Sequence, residues 1–182
     1  MNRYPPLLII LHWVSALLIF TTFLLGVFAL AERPNTQEKI VPLAVHMALG
    51  AVLLVLTVLR LAIRLATRKP SRRRASPARA SSRPLIVTMA APVQWLLYVF
   101  TLLMSLTGIG LTLQAGLLTP AGLILPADFY AFPLRVVHGT LSTVLFVLVV
   151  LHLLTWVYFQ FIRGENALAW MWFQQKHNQK TD

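Results

Sequence analysis

The chain has 182 residues, of which 58% are hydrophobic and only 12% are charged. This composition lies outside the usual range of soluble domains and indicates a membrane protein. The net charge is +11, but the basic residues lie between and beside long apolar runs, where they set orientation, so nucleic-acid binding is disfavoured. The sequence has no cysteine, which excludes disulfides, cysteine-ligated iron-sulfur clusters and covalently attached haem.

Four apolar runs are long enough to cross a membrane, whose hydrocarbon core needs about 20 helical residues. The predicted spans are residues 6–30, 41–65, 88–113 and 135–162. Pro5 and Pro6 suit the start of the first helix, and Pro92 predicts either a kink in the third helix or the point where it enters the membrane. We therefore expect one all-α domain over residues 1–182, an integral membrane four-helix bundle whose helices alternate up and down.

The first span has a second possible interpretation, as a secretory signal. Arg3 precedes the run, and Ala29-Leu30-Ala31 resembles a cleavage site. The run is much longer than the roughly 7–15 apolar residues of a signal peptide, however, and it contains His12. We interpret it as a membrane helix.

The distribution of Lys and Arg predicts the orientation of the bundle. Of 16 such residues, 13 lie on the side shared by the N-terminus, the loop 67–84 and the C-terminus, which leaves Arg33, Lys39 and Arg135 on the other. By the positive-inside rule both termini are cytoplasmic. The basic loop 67–84 is a topology signal, with contact to anionic lipid as an added role.

Four histidines lie inside the predicted spans, whereas His177 lies in a polar tail and is expected to be solvated. His138 and His152 are fourteen residues apart, so they share a helix face to within roughly 40° and stand about 21 Å apart along the axis. His12 belongs to the inner half of the first span, and His46 to the outer half of the second. We expect His12 to pair with His152, and His46 with His138.

Each histidine pair is expected to supply the two axial ligands of one haem iron, giving two haem b. Bundles build cofactor sites from side chains on facing helices, and imidazole is a usual nitrogen ligand of haem iron. Two imidazoles leave no open position on the iron. This arrangement favours electron transfer over oxygen binding, and we expect low-spin haem.

Glycines and arginines near the histidines fit this interpretation. Gly26 is fourteen residues after His12, and Gly50 lies close to His46, where a missing side chain leaves room for a flat macrocycle. Ordinary small-residue helix packing is the alternative for Gly26. Arg60 is fourteen residues after His46 and, with Arg64, is placed to bind a haem propionate; alternatively both arginines extend to the lipid headgroups.

Other roles for the histidines are less compatible with the pattern. A single histidine in a span can simply form a hydrogen bond to a neighbouring helix, but two matched pairs at two depths disfavour that reading. A zinc site gathers three or four ligands at one level. No Asp or Glu occurs inside any span, which also disfavours a proton-coupled metal or ion transporter.

On these residues the chain resembles the bacterial cytochrome b561 family, small four-helix membrane cytochromes with two haems. The motifs that carry the resemblance are Leu11-His12-Trp13, His46 with Gly50 and the stretch 59–65, and Arg135-Val136-Val137-His138 with His152. The resemblance implies haem b, a quinone such as ubiquinone as redox partner, and a location in the bacterial inner membrane.

Some members of this family resemble superoxide oxidases, which pass an electron from superoxide through the haems to ubiquinone. In those members a basic residue just before the outer histidine of the fourth helix helps to form the active site. Arg135 occupies that position, so the resemblance implies a catalytic role for it; a propionate contact or anchoring of the helix end is the alternative. Relatives often carry extra histidines near the start of the third helix, where this chain has Ala91-Pro92-Val93-Gln94-Trp95.

The sequence therefore predicts a dihaem cytochrome that transfers electrons to or from the quinone pool, with oxidation of superoxide at the periplasmic face as a specific possibility. A rival interpretation is a haem-bearing membrane anchor that serves a larger dehydrogenase or hydrogenase. A metal transporter is a further alternative, which predicts a colourless protein with bound metal.

Overall fold

The computed structural model describes residues 6–31, 34–67, 85–118 and 125–164, with side chains of the third helix from residue 89 onward. The α-helices are α1 (Pro6–Leu24), α2 (Ile40–Ala66), α3 (Leu85–Gln114) and α4 (Pro133–Val157). Short 3-10 turns precede α2 (Gln37–Lys39) and α4 (Phe129–Ala131). Segments of π-helix continue α1 (Leu25–Ala31) and α4 (Tyr158–Ile162). The described residues contain no strand, so the all-α prediction is confirmed. Residues 68–84 of the predicted basic loop and the tail with His177 lie outside the described residues.

Four helical stretches are long and apolar enough to cross a membrane. They are Pro6–Ala31, Gln37–Ala66, Met89–Gln114 and Pro133–Ile162, and their ends differ from the predicted boundaries by at most four residues, at Gln37. Large apolar side chains cover their outer faces: Leu17, Phe28 and Phe161 are 68%, 69% and 71% exposed. Such exposure is expected where lipid rather than protein surrounds a helix.

Helices that follow one another in the chain pack side by side: α1 against α2, α2 against α3, and α3 against α4. The backbone of α4 is close to α3 and farther from α1 and α2. Side chains bridge this wider gap, as where Phe23 of α1 stacks on Phe146 of α4 with ring centroids 5.0 Å apart and planes 9° apart. The space between α4 and the pair α1 and α2 is therefore the interior in which a large group can be held.

One end of the bundle is closed by the segment between α3 and α4. Gly116, with φ of 66°, ends α3 in a Schellman motif, in which the Leu117 N–H donates to the Thr112 carbonyl at 3.1 Å. Leu117 and Phe129 are buried against Leu43 at the start of α2. We call this end of the bundle the upper end and the opposite one the lower end; the charge distribution predicts that the upper end faces outside.

Prolines occupy different positions in the helices. Pro6 and Pro133 are the first residues of α1 and α4, where a missing N–H costs little. Pro92 lies inside α3, seven residues after its start, so it does not mark the beginning of that helix. Because proline has no N–H, the carbonyl four residues earlier loses its helical partner there.

Candidate functional site

Two histidines face each other near the upper end. His46 of α2 and His138 of α4 have ring centroids 6.3 Å apart, with ring planes inclined at 72°. Both residues are half-buried. We call them the upper pair. The structure thus brings together two residues that are 92 positions apart and that the helix geometry predicts at the same depth.

A second pair occupies the lower half of the bundle. His12 of α1 and His152 of α4 have ring centroids 6.3 Å apart, with planes inclined at 73°, and both are half-buried. We call them the lower pair. The two pairs agree in distance and in angle although their partners come from different helices, so α4 presents two sites of the same geometry.

The separation of the rings is close to that expected for one metal ion between them. An imidazole centroid lies about 1.2 Å from its nitrogen, and a bond from a metal to an imidazole nitrogen is about 2.0–2.1 Å, so two imidazoles on opposite sides of one ion have centroids roughly 6.4–6.6 Å apart, close to the observed 6.3 Å. No group of three or more His, Cys, Asp or Glu side chains suited to a metal occurs in the described part of the chain. Two protein ligands suit a haem, whose porphyrin supplies the other four donors.

A cavity of about 600 Å³ lies beside the upper pair and is lined by both of its histidines. This volume is within the range of about 300–1,000 Å³ that holds cofactor-sized ligands. Gly50 and Gly139 also line the cavity, and a Cβ added at either one would meet no atom within 4 Å. The two glycines therefore leave open space in the wall, as the sequence predicts for Gly50.

Gly26 and Gly108 have a different place, against the histidine rings themselves. A Cβ on Gly26 would lie 3.5 Å from Cε1 of His46. A Cβ on Gly108 of α3 would lie 3.4 Å from Cε1 of His138. Gly26 thus lies against the His46 ring and also lines the cavity. Gly108 is not predicted as a site residue from the sequence.

The lower pair has a basic and aromatic surrounding contributed by α2 and α3. The Arg60 guanidinium lies within electrostatic range of both His12 and His152, and 5.4 Å from the ring centre of Tyr98. Arg60 therefore lies at the level of the lower pair, where the fourteen-residue spacing from His46 predicts it.

Arg64 is held by α3 instead. Its Nη2 donates a hydrogen bond to Oε1 of Gln94 at 3.1 Å, and its guanidinium lies 5.0 Å from the ring centre of Trp95 and 5.4 Å from that of Tyr98. Gln94 and Trp95 belong to the stretch 91–95 near the start of the third predicted span. The two arginines thus share a contact with Tyr98, whereas the contacts with Gln94 and Trp95 are those of Arg64.

Two cations and a tyrosine form a group at the upper cavity. The Arg135 guanidinium lies 4.3 Å from the ring centre of Tyr130, and Lys39 Nζ donates to the Tyr130 hydroxyl at 2.8 Å and to Asn35 Oδ1 at 3.3 Å. Lys39 is only 1% exposed, and like Arg135 it lines the cavity. Neither Lys39 nor Tyr130 is predicted as a site residue from the sequence, although Lys39 precedes His46 by seven residues, about two helical turns.

Comparison with known proteins shows the family of the chain. The family model for prokaryotic cytochrome b561 matches residues 3–174, a range that includes all four histidines and nearly the whole chain. No curated protein matches the chain. With four helices fit to cross a membrane, the match identifies a multi-pass bacterial membrane protein, a b-type cytochrome of electron transfer. The chain belongs to the prokaryotic cytochrome b561 family.

Proposed function

We propose that the protein binds two haem b groups, one between His12 and His152 and one between His46 and His138, and that it transfers single electrons to or from the quinone pool. The observation that carries this proposal is the equal separation of 6.3 Å in both pairs. Each haem, when bound, supplies a one-electron carrier whose iron is closed to oxygen by two imidazoles.

The position of the ligands on α4 suits electron movement across the membrane. His138 and His152 are fourteen residues apart, so the two sites differ in depth by about 21 Å in a hydrocarbon core of about 30 Å. Helices α1 and α2 each contribute one facing histidine. The upper pair thus lies nearer one end of α4 and the lower pair well toward the other, and the upper pair is adjacent to the cavity.

Cations are available for the carboxylates of each haem. Arg60 lies near the lower pair, and Lys39 and Arg135 line the upper cavity. A carboxylate placed against a guanidinium or an ammonium forms charge-assisted hydrogen bonds, which are stronger than neutral ones. Arg60 is therefore our candidate for propionate binding at the lower pair, with Arg64 held by Gln94 at 3.1 Å. For Lys39 and Arg135, propionate binding is the alternative to attraction of a substrate anion.

The upper cavity further supports superoxide as the electron donor, and ubiquinone is the acceptor that we propose with it. Lys39 and Arg135 place two positive charges at a cavity on the side predicted to face outside, and such a field attracts a small anion. Each superoxide gives up one electron and leaves as O2. Two electrons and two protons convert one quinone to a quinol.

The test uses full-length protein purified in detergent. Its reduced-minus-oxidised absorption spectrum should show low-spin b-type haem, and the haem-to-protein ratio should be two. Superoxide should then reduce ubiquinone without any added protein. A colourless protein from haem-replete cells would contradict haem binding, whereas two haems with no superoxide-driven reduction and a co-purifying dehydrogenase or hydrogenase subunit would identify the anchor function instead.

A further inference from the structure

Helix α3 carries no histidine within its described residues, yet it contacts a ligand of the upper pair. The Thr107 hydroxyl oxygen lies 2.9 Å from Nδ1 of His138. The same oxygen lies 2.9 Å from the carbonyl oxygen of Leu103 and 3.0 Å from that of Met104. Three groups therefore surround a hydroxyl that has one proton to give.

The chemistry of these groups fixes the direction of the hydrogen bonds. A carbonyl oxygen can only accept, whereas an imidazole nitrogen can donate or accept. All three contacts are satisfied when the Thr107 hydroxyl shares its one proton between the two carbonyls of its own helix and accepts from His138. The Met104 carbonyl, which accepts part of that proton, also lies close to the His138 ring. The proton on the ring then lies at Nδ1, and Nε2 keeps the lone pair that a metal requires.

We propose that Thr107 is a positioning residue that holds His138 in this tautomer and thereby lowers the reduction potential of the upper haem. The inference rests on the proposed function, because it takes His138 as an axial ligand. A hydrogen bond from the far nitrogen of a ligating imidazole orients the ring and raises its basicity. A more basic ligand stabilises ferric iron more than ferrous iron.

The packing around the ring supports this role. Gly108 follows Thr107, and its Cβ position lies 3.4 Å from Cε1 of His138. One residue of α3 thus offers a hydrogen bond to the ring, and the next has no side chain in its way. Because α4 packs closely on α3, the orientation of His138 depends on a helix that supplies no ligand.

His12 and His46 lack a comparable side-chain contact. Their Nδ1 atoms are buried and form no hydrogen bond within the described residues, although the Thr22 backbone lies close to the His46 ring. In the upper pair, a side-chain hydroxyl therefore contacts the His138 ring, whereas the His46 ring is approached by backbone. Removal of the Thr107 hydroxyl should alter one haem and leave the other as it was.

The test is a redox titration of the purified holoprotein with Thr107→Val, which removes the hydroxyl at nearly constant volume, and Thr107→Ser, which keeps it. Loss of such a contact typically changes metal binding by about 10-fold to 100-fold. A tenfold loss of ferric preference corresponds to ~59 mV. Thr107→Val should raise the midpoint of one haem by about that amount, and Thr107→Ser should restore it.

Thr21→Val is the matched control. The Thr21 hydroxyl donates at 2.9 Å to the Leu17 carbonyl of its own helix, and Thr21 is nine residues after His12, which places it on the opposite face of α1. The same loss of a hydroxyl there should move neither midpoint.

The inference is overturned if Thr107→Val leaves both midpoints unchanged, or if Thr107→Ser shifts them as Thr107→Val does. Loss of one haem in Thr107→Val but not in Thr107→Ser supports it, and loss in both variants overturns it. A different result would show that the proposed function is wrong: the wild-type protein would not hold two haems, or His138→Ala would retain both.

Discussion

The Cβ position of Gly26 lies 3.5 Å from Cε1 of His46, so α1 passes this ring with no side chain between them. The contact is within ordinary van der Waals distance for one added carbon and too short for a larger group. Gly26 also lines the upper cavity. The position therefore limits how far the His46 ring can move.

Substitution of Gly26 should show this limit. Gly26→Ala should keep both haems, whereas Gly26→Leu should displace the His46 ring and lower the haem-to-protein ratio from two to one, because an overpacked site costs typically about 1–3 kcal/mol. The ratio is measured by haem extraction and protein quantification. Equal haem content in the Ala and Leu variants would show that the ring does not need this space.

Gly50 allows a test of what fills the cavity. A Cβ at Gly50 meets no protein atom within 4 Å, so Gly50→Leu should leave the helical fold intact, as measured by far-ultraviolet circular dichroism. It should nevertheless lose one haem, because the new side chain projects into the space that the macrocycle needs. Val52→Leu, at an exposed position on the same helix, is the control. A Gly50→Leu protein with two haems would contradict a macrocycle beside Gly50.

Arg60 and Arg64 should respond differently to the same change. Arg60→Gln removes a positive charge near the lower pair, which favours ferric iron, so the midpoint of one haem should fall by about 60 mV for a tenfold effect. Arg64→Gln should change the midpoint potentials less. Because its partners Gln94 and Trp95 lie on α3, it should instead lower the free energy of unfolding by about 1 kcal/mol. Redox titration and thermal unfolding measure the two effects. Equal shifts in midpoint would show that both arginines act on the haem alike.

Lys39 and Arg135 should govern the reaction with superoxide. Arg135→Gln and Lys39→Met should each lower the rate of superoxide-driven quinone reduction by about tenfold at low salt, and the dependence on ionic strength should weaken, because a field that attracts the anion is reduced. Arg163→Gln removes the same charge at the opposite end of the bundle and is the control. An equal loss of rate in the control, or no loss in Arg135→Gln, would exclude steering by the upper cations.

The arrangement of the histidines could be predicted because it depends on one periodic quantity. A helix repeats every 3.6 residues and rises 1.5 Å per residue, so the spacing of His138 and His152 gives both their common face and their difference in depth. The lengths of the apolar runs give the four helices. The pairs then follow from the alternation of helix direction, and the structure brings their rings to 6.3 Å.

Contacts between helices could not be predicted in this way. The bond of Thr107 to His138 and that of Arg64 to Gln94 depend on how α3 is rotated about its axis, which an apolar helix surrounded by lipid does not reveal in its sequence pattern. The contact of Lys39 with Tyr130 depends on the path of the chain between α3 and α4. Thr107, Gln94 and Tyr130 contribute hydroxyl or amide groups, which occur in many membrane proteins without a ligand nearby.

The haem content of four single variants tests the central claim most directly. His12→Ala, His46→Ala, His138→Ala and His152→Ala should each bind one haem per protein. The remaining haem should have the same midpoint potential in His12→Ala and His152→Ala. His46→Ala and His138→Ala should share a different midpoint potential. His177→Ala, in the tail, should keep both haems. A His46→Ala protein that retains two haems, or that shares its remaining midpoint with His12→Ala, would contradict the two pairs.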